Sequence, residues 1–157
     1  MNRRRMFLSA GAAIAALPIL IALGGRREAQ AKPRWFTDLE PGVAVGGYDA
    51  VAYFTEGTPR RGDAAISLVH DGVEWRFASE DNRALFASDP DRYAPQYGGY
   101  CAYAISQGYT AKGEPDVWDI VDGKLYLNYD RAVQTTWRQD VPGYITKAEI
   151  AWPDIVD

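Results

Sequence analysis

The alternation of apolar and polar residues along the chain is clearest around the pair Asp71-Gly72. Asp-Gly is typical of a two-residue type I′ turn, so the pattern predicts a hairpin of residues 65–70 and 73–78. A two-residue loop pairs His70 with Val73 and Leu68 with Trp75, and it brings alternate residues of both strands to one face. We expect that face to line the core, with Ser67, Glu74 and Arg76 facing water. Its members are Ile66, Leu68, His70, Val73, Trp75 and Phe77.

The same order of strand, Asp-Gly turn, strand and helix returns later in the chain. A second hairpin is predicted for residues 117–121 and 124–128, followed by a helix from about Asp130 to Gln139. Here the apolar residues have the opposite phase relative to the turn. This phase difference predicts two halves of similar topology without equivalent positions. The residues on the second apolar face are Trp118, Ile120, Leu125 and Leu127.

Capping residues predict short helices around these hairpins. Ser79 is a typical N-cap before a helix that carries Leu85 and Phe86 inward, and Pro90 suits the first position of a single-turn helix. A last helix is predicted to begin near Pro142 and to end before Pro153. The sequence therefore predicts a small α+β domain, in which two β-hairpins form an antiparallel sheet packed by short helices.

The first 31 residues have the order of an export signal. The pair Arg4-Arg5 precedes an apolar segment of 14 residues, Ala10–Leu23, and Ala29-Gln30-Ala31 supplies a small-x-small cleavage site. The apolar segment is shorter than the roughly 18 residues of a membrane span. The pattern predicts a twin-arginine signal peptide at 1–31 and a mature domain at 32–157 in the periplasm. Membrane contact is then limited to the signal peptide before cleavage.

We expect that changing both Arg4 and Arg5 to lysine keeps the precursor inside the cell, because the twin-arginine route requires the arginine pair. Fractionation of cells that produce either form would measure the loss. Unchanged delivery to the periplasm would contradict the assignment of the leader.

Charge and cysteine content narrow the function classes. The chain has 17 Lys and Arg residues and 21 Asp and Glu residues. Cleavage after residue 31 would remove five Arg and one Glu with the leader. The mature chain therefore has 12 basic and 20 acidic residues, a net charge of −8, which argues against nucleic-acid binding. The single Cys101 excludes an internal disulfide. It is either an inert core residue or the thiol that a site uses.

Residues 75–93 resemble the YHS domain, whose hallmark is a strand, a helix capped at its start, and a Phe-x-x-x-Pro-x-x-Tyr ending. That ending is Phe86, Pro90 and Tyr93 here. Residues 47–54 and 97–103 are similar to segments of exported bacterial proteins that carry this domain.

The resemblance implies a treble-clef-like metal-binding module with one cysteine after a turn and two around the start of the helix. Those positions are occupied by Ala52, Ala78 and Asn82. Alanine has no donor atom and asparagine only a weak carbonyl oxygen, so a thiolate zinc site is not expected.

Other donors remain for a modified site. Cys101 and His70 are the only thiol and the only imidazole, and copper(I) is the metal that favours such donors. Tyr48, Asp49 and Tyr100 are the predicted ligand-binding helpers, with turn capping as the alternative role of Asp49. Each of these residues also has a purely structural interpretation, as core filler or hairpin cap.

Two functions follow from these residues. The first is a non-enzymatic exported module that binds a metal ion or a small ligand in a modified YHS pocket. The alternative is a protein-interaction domain with an empty ancestral metal site, docking to a partner in the cell envelope. An enzyme comes third: a nucleophile pair of Cys101 and His70 would need the thiol close to the imidazole and partly exposed. The sequence has neither a serine nucleophile elbow nor a glycine-rich phosphate loop.

Overall fold

The computed structural model describes residues 30–156, so the predicted twin-arginine motif lies outside the described residues. The α+β fold class is confirmed: two antiparallel hairpins are packed by short helices. Within residues 30–156 no helix is both long enough and apolar enough to cross a bilayer. The strands are β1 (Asp63–His70), β2 (Val73–Phe77), β3 (Glu114–Val121) and β4 (Lys124–Asn128). The helices are α1 (Ala52–Thr55), α2 (Glu80–Ser88), α3 (Pro90–Tyr93), α4 (Ala102–Ser106), α5 (Arg131–Trp137) and α6 (Val141–Val156).

Both hairpins turn at the predicted Asp-Gly pairs. Asp71 and Gly72 have φ values of 50° and 79°, and the second turn repeats this geometry, as a type I′ turn requires. The predicted pairs His70–Val73 and Leu68–Trp75 are confirmed. Each hairpin is a separate two-stranded sheet.

The helices begin where their caps predict. Ser79 Oγ accepts a hydrogen bond from Asn82 N at 3.1 Å, and Asp130 Oδ1 accepts one from Val133 N at 2.8 Å. The prediction that the last helix ends before Pro153 is wrong, since α6 continues to Val156. Pro153 is exposed in the last turn, so the helix loses a single backbone hydrogen bond there.

The residues of the two hairpins correspond one to one, counted from their Asp-Gly turns. This corrects the expectation, drawn from the different placement of their apolar residues, that the two halves lack equivalent positions. The pair Leu68–Trp75 recurs as Asp119–Tyr126, and the irregularity before Ser67 recurs before Trp118. A 3₁₀ turn and a short helix precede each hairpin, and a capped helix follows it. We call residues 44–88 the first repeat and residues 96–137 the second repeat.

The apolar residues of the two hairpins differ in phase because β4 is buried on both faces. Leu125 and Leu127 pack into the hydrophobic cluster of the first repeat, whereas Tyr126 between them packs into the cluster of the second. Tyr126 lies on Trp137 with ring centroids 5.4 Å apart, and the equivalent pair Trp75 and Phe86 lies 4.6 Å apart. Each repeat thus has its own aromatic pair. Strand β4, which belongs to the second repeat, also contributes Leu125 and Leu127 to the core of the first.

We expect Leu125→Ala to lower the free energy of unfolding by about 2 to 5 kcal/mol, because this side chain is 0% exposed in the core of the first repeat. Its counterpart in the first repeat, Glu74, is half-buried, and Glu74→Ala should cost much less, within about 1 kcal/mol. Urea titrations of both variants would measure the difference. Equal losses would contradict the burial of β4 on both faces.

An arm of irregular chain, residues 32–43, covers both repeats. Phe36 N donates to Gly98 O at 2.9 Å, and Trp35 Nε1 donates to Asp71 Oδ2 at 2.7 Å. A Cβ at Gly98 would lie 1.7 Å from Arg34 O, so only glycine allows this approach.

A further contact of the arm corrects the expected exposure of Arg76. This side chain is half-buried and forms ion pairs with Glu40 and Glu74 at 2.6 and 2.7 Å. Hydrogen bonds to both carboxylates raise the pKa of the guanidinium, so it stays charged as it holds the arm.

Candidate functional site

The three positions at which the YHS resemblance implies cysteines converge on the carboxylate of Asp49. Its Oδ1 accepts hydrogen bonds from Val51 N at 2.9 Å and Ala52 N at 3.3 Å. Its Oδ2 accepts from Ala78 N at 2.8 Å and from Asn82 Nδ2 at 2.7 Å. We call this group of four donors around one side chain the Asp49 centre.

Local structure explains how the Asp49 centre forms. Asp49 caps the turn that leads into α1, while Ala78 follows β2 and Asn82 lies in the first turn of α2. The backbone N–H of Asp49 donates to Arg60 O at 2.8 Å, which fixes the turn from the other side. Turn capping, the structural role considered for Asp49, therefore accounts for its burial.

The Asp49 centre has the chemistry of an anion site. Its carboxylate has an exposed fraction of 0%, and both oxygens accept from protein donors. Four N–H groups directed at one point favour negative charge there and oppose a cation. A metal ion at this point would have to displace a side chain whose hydrogen bonds are already made.

The two predicted helper tyrosines flank the repeats at equivalent places. Tyr48 is half-buried, and the Arg61 guanidinium lies over its ring at 5.0 Å. Tyr100 is buried, and its hydroxyl donates to Pro33 O at 2.9 Å. Burial raises the pKa of the Tyr100 phenol, which therefore stays neutral. In this arrangement Tyr100 fastens the arm to the second repeat.

Cys101 lies in the second repeat and is 1% exposed. Its thiol donates to Asn128 Oδ1 at 3.5 Å. Burial raises the pKa of the thiol, while hydrogen bonds from the backbone of Ala104, Tyr129 and Tyr103 act in the opposite direction. The thiol is thus protonated at neutral pH and shielded from bulk solvent.

His70 lies at the turn end of β1, in different surroundings. Its ring contacts the edges of Phe86, Trp75 and Trp35 at centroid distances of 5.8, 6.4 and 6.5 Å. Within residues 30–156, the aromatic partners of His70 do not include Asn128, the hydrogen-bond partner of the Cys101 thiol. No group of three or more His, Cys, Asp or Glu residues among residues 30–156 is arranged to hold a metal ion.

A cleft of about 440 Å³ opens where the arm meets the second repeat. Its walls are aromatic, from Trp35, Tyr97 and Trp152, and charged side chains of both signs surround them. The five residues predicted for the site lie outside its lining. The charged members are Arg34, Lys124, Asp91 and Glu149.

Neither this cleft nor the buried Asn128, which accepts from Cys101 Sγ and Tyr103 N, is among the features predicted from the sequence. The cleft joins the arm, the segment before α4 and the far end of α6, which no local pattern connects. The burial of Asn128 does have a sign in the sequence, because this polar residue directly follows the apolar strand residues Leu125-Tyr126-Leu127. It is fully buried.

Comparison of the chain with protein-family models, with curated proteins and with solved structures finds no match.

Proposed function

We propose that the mature chain is a non-enzymatic binding module of the bacterial periplasm, related to YHS domains, that holds a small organic ligand in the arm cleft. The observation that carries this proposal is the cleft itself. Its volume of about 440 Å³ lies in the range of small-molecule sites, about 300 to 1,000 Å³. The metal-binding form of the earlier hypothesis has less support, because the Asp49 centre is filled by a carboxylate of the chain.

The lining of the cleft favours a particular class of ligand. Tyr97 and Trp152 meet edge to face at 5.9 Å, and such rings provide rigid apolar walls for a planar group. Lys124, Asp91 and Glu149 are exposed at the rim and form no ion pair within residues 30–156. A planar ligand that carries both a positive and a negative group would match these walls and this rim.

Three indole probes test the proposal: tryptophan, which carries both charges, tryptamine, a cation, and indole-3-acetate, an anion. Calorimetric titration of the mature protein should give the tightest binding for tryptophan, about tenfold tighter than for either singly charged probe. Lys124→Glu should weaken tryptophan binding by about tenfold, since it reverses a rim charge that faces the carboxylate. Lys147→Glu, on the exposed surface of α6 and outside the cleft lining, is the matched control.

Two results would overturn the ligand proposal. The first is that none of the probes binds, and the second is that both lysine variants change binding equally. Either result would favour the alternative, a protein-interaction domain of the cell envelope.

A further inference from the structure

A second cavity lies in the first repeat. It has a volume of about 780 Å³, is open to solvent, and is lined by residues 58–64 and by Ala78. Within residues 30–156 it shares no lining residue with the arm cleft. We call this cavity the first-repeat basin. Its charged lining residues are Arg60, Arg61 and Asp63.

The arginine side of the first-repeat basin has an equivalent in the second repeat. Tyr48 forms an isolated antiparallel β-bridge with Arg61, and Tyr100 forms the same kind of bridge with Lys112. Both tyrosines follow a Gly-Gly pair. Arg61 and Lys112 therefore start from equivalent backbone positions, each with a cationic side chain.

The opposite side of the basin differs between the repeats in the size of one side chain. The residue directly after β2 is Ala78, and the residue directly after β4 is Tyr129. These two residues correspond because the two hairpins have the same register. Lys112 Nζ lies over the Tyr129 ring, 5.2 Å from its centroid. The Tyr129 ring thus fills, in the second repeat, the place beside the cation that the methyl group of Ala78 leaves open in the first.

We propose that the first-repeat basin binds a small aromatic carboxylate, a planar ring that carries one negative group. The ring of the ligand takes the place beside Ala78 that corresponds to the ring of Tyr129. The carboxylate of the ligand meets Arg60 and Arg61. This site is separate from the arm cleft, and it does not depend on the function proposed for that cleft.

The charges of the basin favour an anion over a cation. Arg61 forms no ion pair within residues 30–156, and its Nη1 donates to Gly46 O at 3.1 Å. Arg60 pairs with Glu56 through its Nε. A guanidinium has five N–H donors, so both arginines keep donors for a carboxylate. The single carboxylate of the lining, Asp63, leaves the basin with a net positive charge.

The aromatic part of the ligand is favoured by the same cation. The Arg61 guanidinium lies over the Tyr48 ring at 5.0 Å, much as Lys112 lies over Tyr129. A guanidinium is planar and has two faces, so one face can contact Tyr48 while the other stacks on a ligand ring. A saturated ring with the same charge gains no such interaction.

The direct test is an NMR titration of the mature protein with benzoate. We expect benzoate to shift the amide resonances of Gly62 and Ala78 in the basin and to leave that of Gly98 in the arm cleft unchanged. Cyclohexanecarboxylate has the same charge but is not planar, and it should bind roughly threefold to fivefold more weakly. Benzylamine, with the opposite charge, should not shift the basin resonances. Equal binding of the two carboxylates, or shifts confined to other regions, would overturn the proposal.

Ala78→Tyr tests the place of the ring, because it gives the first repeat the side chain that the second repeat has. We expect this variant to fold, to melt close to the parent protein and to lose the benzoate shifts. Ala84→Tyr is the matched control, since Ala84 is exposed on α2 and lies outside the basin lining, and it should bind benzoate normally. The proposal is wrong if Ala78→Tyr is unfolded or binds benzoate as tightly as the parent.

Arg61→Glu tests the charge and should weaken benzoate binding by about tenfold. Arg92→Glu is its control, because Arg92 also lies over a tyrosine ring, that of Tyr93 at 5.4 Å, but is outside the basin lining. Equal effects of the two arginine variants would contradict a carboxylate at Arg61. Lys124→Glu, which tests the arm cleft, should leave the benzoate shifts in the basin unchanged, so the two ligand proposals fail separately.

Discussion

Asp49→Ala is expected to lower the free energy of unfolding by about 4 kcal/mol or more. The substitution removes an acceptor from four donors, those of Val51, Ala52, Ala78 and Asn82, in a place that water does not reach. Each buried donor left without a partner costs roughly 1 to 3 kcal/mol, and the loss is not fully additive because the donors relax together. Urea unfolding followed by tryptophan fluorescence would measure it.

Two further variants make this result specific to the Asp49 centre. Asp49→Asn keeps one acceptor but directs an NH₂ group at donors, so it should cost about 2 to 3 kcal/mol. Asp63→Asn is the matched control, since Asp63 is exposed and caps only Ala65 N, and it should stay within about half a kcal/mol. If Asp49→Ala unfolds at the same urea concentration as the parent, the carboxylate does not hold the first repeat together.

Trp75→Ala is expected to cost about 3 to 5 kcal/mol, the range for removing a buried aromatic side chain. Trp75 is 1% exposed and lies between Phe86 and Trp35, with ring centroids 4.6 and 5.0 Å away. Its indole N–H also donates to His70 O at 3.2 Å, which ties β2 to the end of β1. Thermal and urea unfolding of the variant would show the loss.

Val69→Ala is the control for Trp75→Ala, because Val69 is on the opposite face of the same hairpin and is 74% exposed. It should change the free energy of unfolding by no more than about half a kcal/mol. Comparable losses in the two variants would mean that the face assigned to the first hairpin is wrong.

The parts of the fold that the sequence predicts well are those with local causes. Asp71-Gly72 predicts its hairpin because few other residue pairs accept two positive φ values in succession. Ser79 and Asp130 predict helix starts because their side chains bond backbone groups three residues away. Such signals need no knowledge of the rest of the molecule.

The parts that the sequence does not predict depend on distant contacts. The phase of Leu125 and Leu127 suggests a hairpin unlike the first, because nothing local shows that β4 is enclosed on both sides. The Asp49 centre likewise joins three segments, around Asp49, Ala78 and Asn82, that meet only in the folded chain. The predicted pairing of Cys101 with His70 as metal ligands stays a prediction without a shared contact to support it.

The enclosure of β4 has a consequence for the order of events at the ribosome. The core of the first repeat includes Leu125 and Leu127, so it cannot close until synthesis has passed residue 128. The residues of the first repeat, 44–88, therefore emerge before the strand that completes their core. An N-terminal half that emerges alone therefore lacks part of its core, and incompletely buried apolar surface of this kind is what chaperones bind during synthesis.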